Sequence, residues 1–382
     1  MKLLLYTEDF PQPGARAPRH SGIGRYCHDL ATGLAEAGTP VTVLAPQEGG
    51  PATETAYRVL PLPRYHGRVV SRARAVRRAL AQGAGHLLLA GDPVAHRVLA
   101  FGGVPQDVPR APIFYGTELR ALAPSLGYAG WSPLGLLRRA AWRRYVETAR
   151  HRIVISRYAA SQLSQALGRT VSSVTVYPAV AREFLATAPA PPRSGDGLRL
   201  LAIGRISERK NQLGVARMLA AARAAGLDVR CTFLGNVDAR EHESYAARLR
   251  EYVAGSGLGD AVTFLPQATD ADKLAALDDC HAVVALSRTV GASVEGFGIT
   301  VLEAAARERP AIVSTEGGLP ETIVEGETGF AVPFADEPAF MEALRALVSP
   351  QRRAALGAAA LRRVRAGFTA AAMARRFLEG VA

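Results

Sequence analysis

Short apolar segments alternate with amphipathic ones along nearly the whole chain, and this alternation constrains the fold more than any other feature. Lys2–Tyr6, Val41–Ala45, His86–Ala90, Ile113–Tyr115 and Ile153–Ser156 are apolar on both faces, as parallel strands covered by helices are. Between them Gly24–Ala37, Arg68–Ala81 and Leu134–Arg150 carry apolar residues at helical spacing. Strand–helix–strand order implies right-handed crossovers and a parallel sheet, so the fold class is α/β. At Ala186–Gly197 the pattern gives way to a run dense in Pro and Gly, which reads as a linker. The alternation then restarts with strand Leu198–Gly204, helix Gln212–Ala225, strand Asp228–Leu234, helix Glu243–Gly255 and strand Val262–Leu265. Helix Asp272–Leu277, strand Ala282–Leu286, helix Ile299–Arg307 and strand Ala311–Ser314 follow. The expected architecture is two doubly wound domains, residues 1–188 and 198–362. Residues 363–382 are expected to form a helical segment packing back toward the first domain. Sheets of this kind bind ligands at the carboxyl ends of their strands, and two facing domains would enclose a cleft.

Composition narrows the class. A chain of 382 residues suits two domains of ~100–200 residues each, and 48% hydrophobic with 21% charged residues suits packed cores rather than disorder. No apolar run approaches the ~18 residues that cross a bilayer. The opening Met1–Tyr6 meets Glu8, Asp9 and Pro11 too soon for a signal peptide and reads as a first strand. Three scattered cysteines (Cys27, Cys231, Cys280) support neither a disulfide framework nor a zinc site, and point to a reducing, cytoplasmic setting.

Charge is segregated. Residues 1–190 hold 23 Lys+Arg against 11 Asp+Glu, whereas residues 191–382 hold 23 of each. The basic half has three readings: a solvated arginine surface, attraction of an anionic acceptor or membrane lipid, or nucleic acid. Trp142 and Tyr145 among Arg138, Arg139, Arg143 and Arg144 favour peripheral contact with an anionic membrane face. No recognisable nucleic-acid module accompanies the charge, so no nucleic-acid partner is expected.

Two segments carry chemistry. In Glu295-Gly296-Phe297-Gly298-Ile-Thr-Val-Leu-Glu303 a loop runs into a helix start, where glycines let backbone amides approach an anion and the helix dipole favours negative charge. Two carboxylates there suit the hydroxyls of a polyol or ribose. In Gly204-Arg205-Ile-Ser-Glu-Arg-Lys210-Asn211 two cations five residues apart span a strand-to-helix turn. They could converge on one diphosphate, or simply be solvated.

Together these segments resemble the retaining nucleotide-sugar glycosyltransferases of the GT-B fold, specifically glycosyltransferase family 4. The resemblance lies in Gly204-Arg205 with Lys210, in the E-x7-E element Glu295–Glu303, in Gly317-Gly318-Leu-Pro320-Glu321 and in Glu325-Gly326-Glu-Thr-Gly329-Phe330. It extends to Ser21-Gly22-Ile-Gly24-Arg-Tyr near the N-terminus, to Ile153–Ser156-Arg-Tyr and to Val176-Tyr-Pro-Ala-Val180. The resemblance implies two Rossmann-like domains facing across a cleft and hexosyl transfer from a nucleotide-diphosphate sugar to an unidentified acceptor. Arg205 and Lys210 would neutralise the leaving diphosphate, Glu303 would bind the ribose and Glu295 the transferred sugar. The amides of Gly296, Phe297 and Gly298, with Gly204, would line the phosphate and sugar pocket. Gly22 and Gly24 would bring the first domain's loop to the donor or acceptor, and Leu265–Ala268, including Gln267, would lie near the base. No metal or other cofactor is implied, because cations and a helix dipole act at the diphosphate, and the leaving phosphate helps deprotonate the acceptor on the same face.

One position departs from the family pattern. Ile113-Phe114-Tyr115-Gly116-Thr117-Glu118 has Tyr115 where the family usually has His, so Tyr115 is expected at the reacting sugar, as a hydrogen-bond donor rather than a base. That departure also motivates an alternative, a sugar-nucleotide-binding protein without ordinary turnover. Asp270-Ala-Asp272 matches a metal-binding D-x-D but precedes Lys273-Leu-Ala-Ala-Leu277, and a helix N-cap explains it more simply. Gly22-Ile-Gly24 lacks the third glycine of a dinucleotide fingerprint, and His20 beside it is a weak site candidate.

Overall fold

The computed structural model describes residues 1–11, 22–46, 56–62, 69–105, 107–116, 118–119, 133–191, 197–237 and 240–382. His20, Ser21, Thr117 and the centre of the Pro/Gly-rich linker lie outside the described residues. The chain forms two compact units, Met1–Ala179 with Phe368–Ala382, and Val180–Gly367.

In the first unit β1 (Leu3–Tyr6), β2 (Val41–Pro46), β3 (Arg58–Leu62), β4 (Leu87–Ala90), β5 (Arg110–Phe114), β6 (Ile153–Val154) and β7 (Val174–Thr175) form one parallel sheet. Their order is β3-β2-β1-β4-β5-β6-β7. All four residues of β1 and of β4 are buried, as central strands with helices on both faces should be. The sequence pattern does not reveal β3. It is an edge strand, half exposed, and contains Pro61, whose missing N–H is tolerated only at an edge.

The second unit repeats the plan with β8 (Leu198–Ile203), β9 (Val229–Leu234), β10 (Val262–Leu265), β11 (Ala282–Ala285), β12 (Ala311–Ser314) and β13 (Gly329–Val332). The parallel order is β10-β9-β8-β11-β12-β13. The direction of winding therefore reverses between β8 and β11, and the loops that follow these two strands lie side by side at the switch point, the usual ligand position of such sheets.

The units exchange chain at Ala179/Val180 and Gly367/Phe368 rather than within the Pro/Gly-rich linker. The cause is a buried arginine pair. The Arg307 guanidinium is only 1% exposed. It makes a bidentate pair with Asp278 (2.7 and 2.9 Å) and donates to the carbonyls of Phe184 (3.3 Å), Thr187 (2.8 Å) and Ala188 (2.9 Å). Arg309 donates to the carbonyls of Leu277 (2.8 Å), Asp278 (2.8 Å) and Ala190. Phe184 is buried, and Lys273 Nζ lies 4.8 Å from its ring centre. Residues 180–190 are thus stitched to the second unit ahead of its first strand.

At the other end, helix Ala370–Val381 packs on helix Gly22–Glu36 and on β7 within the first unit. The approach is close enough that a Cβ on Gly33 would lie 2.2 Å from the Ala370 carbonyl oxygen. Trp142 and Tyr145, expected at an interface, are instead buried in a ring cluster with His96 and Phe114. Aromatic area of that size is worth more in a core than beside solvated arginines. The arginines of the same helix, Arg138, Arg143 and Arg144, remain exposed, as do Leu136 and Leu137. Among the described residues no helix is long and apolar enough to cross a membrane.

Candidate active site

The site is built on the two loops at the β8/β11 switch point. After β8, Gly204 N donates to the Leu234 carbonyl (2.9 Å), and Ile206 N to the Asn236 carbonyl (2.9 Å), so the loop follows the neighbouring strand before turning. Gln212 Nε2 holds the Arg205 carbonyl (2.9 Å) and Asn211 Nδ2 reaches the Leu286 carbonyl (3.0 Å) at the end of β11. Arg288 N donates to the Arg209 carbonyl (2.8 Å). These bonds fix the two loops against each other and place Arg209 and Lys210 over the loop that carries Glu295.

That second loop is shaped by contact between glycines and neighbouring backbone. Gly298, with φ of 101°, caps helix Ile299–Ala306 in a conformation that side-chain-bearing residues rarely adopt. Gly318 N donates to the Glu295 carbonyl (2.9 Å), and a Cβ on Gly318 would stand 2.1 Å from the Gly296 carbonyl oxygen. The Gly317-Gly318 pair therefore sets the height of the Glu295–Gly298 loop above the helix start.

The Glu295 carboxylate is surrounded by donors. Its Oε2 meets Arg209 Nη1, lies 2.7 Å from Lys210 Nζ and accepts from Ser287 Oγ at 3.3 Å. Burial pushes the carboxyl up. The charges of Lys210 and Arg209 and their hydrogen bonds outweigh burial and bring it down to about 2. Glu303, one turn inside the helix and buried, accepts from Lys273 Nζ at 2.9 Å. Each carboxylate of the E-x7-E element thus has a lysine, in a chain with only three. A lysine supplies a compact, movable point charge, and arginine a fixed fork.

The expected site residues sort by unit. Gly204, Arg205, Lys210, Glu295, Gly296, Phe297, Gly298 and Glu303 fall on the loops after β8 and β11 and the helix that follows. Arg205 is exposed in the first of these loops, and it is Arg209 that joins Lys210 on Glu295. The Phe297 ring is buried, which leaves its backbone as the part able to meet a ligand. Gln267, exposed at the end of β10, lies two strands from β8 and donates its backbone N–H to Asn236 Oδ1.

Gly22 and Gly24 open the first unit's helix Gly22–Glu36, where a Cβ on Gly24 would lie 2.6 Å from Asp9 Oδ1. Tyr115, expected at the reacting sugar, is held inside the first unit. Its ring is buried against Tyr26 at 5.5 Å, and its hydroxyl donates to the Gly91 carbonyl (2.7 Å) and lies 3.6 Å from Cys27 Sγ. Burial raises its pKa well above the ordinary value. A phenol is larger than the imidazole expected there and finds its partner inside the unit.

Thr269 and Asp272 form a capping box on helix Asp270–Asp279, so Asp270-Ala-Asp272 has a helix-capping explanation. Among the described residues no group of three or more metal-ligating side chains converges. Arg209, Ser287 and Lys273 were not singled out from sequence. For Arg209 the adjacent Lys210 was a signal, and for Lys273 the scarcity of lysine.

The family described as Glycosyltransferase Family 4 matches residues 20–183, and that described as Glycosyl transferases group 1 matches residues 187–363. The two matches lie end to end along the chain, which is a family 4-like glycosyltransferase with a two-domain, Rossmann-like GT-B architecture. A similar curated protein is the GDP-mannose-dependent alpha-(1-6)-phosphatidylinositol monomannoside mannosyltransferase of Mycolicibacterium smegmatis, 30% identical over 63% of this chain and 64% of that one. The Mycobacterium tuberculosis protein of the same description is 28% identical over 99% and 98% of the two chains. Among solved structures, sucrose-phosphate synthase from Thermosynechococcus elongatus superposes over 99% of this chain and 97% of its own with a TM-score of 0.75 at 19% identity. The protein is therefore a glycosyltransferase.

Proposed function

We propose that this glycosyltransferase moves a hexosyl residue from a nucleoside-diphosphate sugar, with retention and without a metal, to a lipid-linked acceptor. GDP-mannose is the donor to test first, because the two mycobacterial relatives are described as using it and as acting on an inositol lipid. The observation that carries the reading is the pair of cations, Arg209 and Lys210, gathered on Glu295 beside a glycine-opened helix start at the switch point. As the sugar–phosphate bond breaks, negative charge develops on the diphosphate. Lys210 and Arg205 would oppose it, together with the loop amides before Ile299. Glu295, held ionised, would accept hydrogen bonds from sugar hydroxyls, and Glu303 from the ribose.

Turnover of GDP-mannose on a phosphatidylinositol glycoside, followed by product NMR, tests all three parts. We expect an α-linked product and nearly unchanged rates in EDTA. Activity lost in EDTA and restored only by Mg²⁺ or Mn²⁺ would overturn metal independence, and a β-linked product would overturn retention.

Peripheral membrane contact belongs to the same reading. The helices Val69–Ala81, Pro93–Phe101 and Pro133–Glu147 pack side by side in the first unit and expose arginines together with Val70, Phe101 and Leu137. Arginine with exposed apolar side chains suits an anionic lipid surface. Co-sedimentation with vesicles rich in anionic lipid, weakening as salt rises, is the expected outcome. Equal binding to neutral vesicles, or none to either, would refute it.

A further inference from the structure

Arg209 belongs to neither the diphosphate pair nor the sugar contacts expected from sequence, yet it stands on the carboxylate between them. Three donors, Arg209 Nη1, Lys210 Nζ and Ser287 Oγ, all address one oxygen of Glu295, Oε2. No described residue hydrogen-bonds the other oxygen, Oε1, and the side chain keeps 13% of its surface. A carboxylate anchored through one oxygen offers the other to a ligand in a fixed direction. A hydroxyl donor fits it and a phosphate does not. From this arrangement we infer that Arg209 is a positioning residue, holding Glu295 so that the site distinguishes a sugar-bearing nucleotide from the bare nucleoside diphosphate. The inference rests on the donor reading above.

The two cations on Oε2 are not equivalent. Lys210 has a rotatable stem with a single charged end and can turn toward a diphosphate. If it alone held Glu295, binding the diphosphate would release the carboxylate as the sugar arrives. Arg209 starts from a fixed backbone, whose carbonyl accepts from Arg288 N at 2.8 Å, and reaches Glu295 through Nη1 of a planar guanidinium, a weakly hydrated cation suited to a carboxylate. On this proposal Arg209 keeps Glu295 oriented and ionised after Lys210 changes partner. Ser287, buried at the end of β11, adds a neutral donor that limits rotation of the carboxylate.

The test is a binding comparison with two probe pairs, GDP-mannose against GDP and UDP-glucose against UDP, on the full chain. For whichever pair binds, Arg209→Ala should weaken the sugar nucleotide roughly tenfold, about 1.4 kcal/mol. The bare diphosphate should change by no more than about twofold, on the same scale. Arg209→Lys should recover part of the loss, because a cation returns without the planar guanidinium. In a Glu295→Gln background, Arg209→Ala should add little, since both changes act through one carboxylate. A matched loss of diphosphate and sugar-nucleotide affinity in Arg209→Ala would place Arg209 on the phosphates and overturn the proposal. Fully additive losses in the double variant would overturn it as well. Loss of discrimination in Glu295→Gln but not in Arg209→Ala defeats the role of Arg209 alone. Unchanged discrimination in Glu295→Gln defeats the donor reading beneath it.

Discussion

Position in sequence and direction in space are separate matters, as one side chain shows. Tyr115 ends a strand beside a glycine, where a ligand contact is expected, and its hydroxyl turns inward to the Gly91 carbonyl. Cys27 Sγ contacts the same carbonyl at 3.3 Å, so removing the phenol does not leave that oxygen bare. Tyr115→Phe should therefore lower stability by about 0.5–1.5 kcal/mol, the net worth of a neutral hydrogen bond. The activity of the folded enzyme should stay at the wild-type level. Tyr115→Ala removes a buried ring from contact with Tyr26 and should cost about 3–5 kcal/mol, as other large-to-small core changes do. Urea unfolding read alongside kcat/KM separates the two effects. A Phe variant with normal stability and a severalfold lower kcat/KM would put the hydroxyl back on the substrate. By contrast, the E-x7-E carboxylates could be located from sequence alone, because a loop rich in glycine running into a helix admits few geometries. Their cations could not, because contacts across 30 residues (Lys273 to Glu303) or 86 (Arg209 to Glu295) leave no local pattern.

At the scale of elements, strands that are central and buried on both faces were legible, as was the apolar edge strand β10, whereas the edge strands β3 and β13 were not. β1, β4 and β8 show the apolar run that burial on two faces requires, while β3 and β13 sit at sheet edges and are half solvated. The loops were legible only through their glycines, and Gly318 shows what such a glycine controls. It carries no charge and lies outside the E-x7-E element, yet its Cα faces the Gly296 carbonyl with no room for a methyl group. Gly318→Ala must push the Glu295–Gly298 loop outward, a strain of roughly 1–3 kcal/mol by analogy with overpacked cores. We expect weaker donor binding with Arg209, Lys210, Glu295 and Glu303 all intact, and only a small fall in Tm. Calorimetry with donor checks this. An affinity within experimental error of wild type would mean that loop height is unimportant for the ligand.

For the whole molecule, the sequence places the break at the Pro/Gly-rich run, and the packing places it before that run, at Ala179/Val180. Linker composition says where a chain can be flexible, whereas long-range contacts decide which body holds it. Here Arg307 and Arg309, more than 115 residues downstream, hold residues 184–190 through backbone carbonyls. The consequence can be measured on fragments, because the second unit is one continuous stretch and the first is not. A fragment spanning residues 180–367 retains the acceptors of Arg307 and the buried Phe184 side chain. One spanning 198–367 strips the Arg307 guanidinium, 1% exposed in the full chain, of its carbonyl acceptors at Phe184, Thr187 and Ala188 and leaves it Asp278. Each lost charge-assisted hydrogen bond is worth roughly 1.5–3 kcal/mol, reduced where water replaces the acceptor. Losing the burial of Phe184 removes about 1.5–3 kcal/mol more. The longer fragment should unfold cooperatively in urea, and the shorter one should be less stable by several kcal/mol or fail to fold. Arg307→Met in the longer fragment separates the two contributions, since it removes the guanidinium while Phe184 stays in place. Equal midpoints for the two fragments would mean that residues 180–197 are a passive tether, and the break would then belong where the sequence alone puts it.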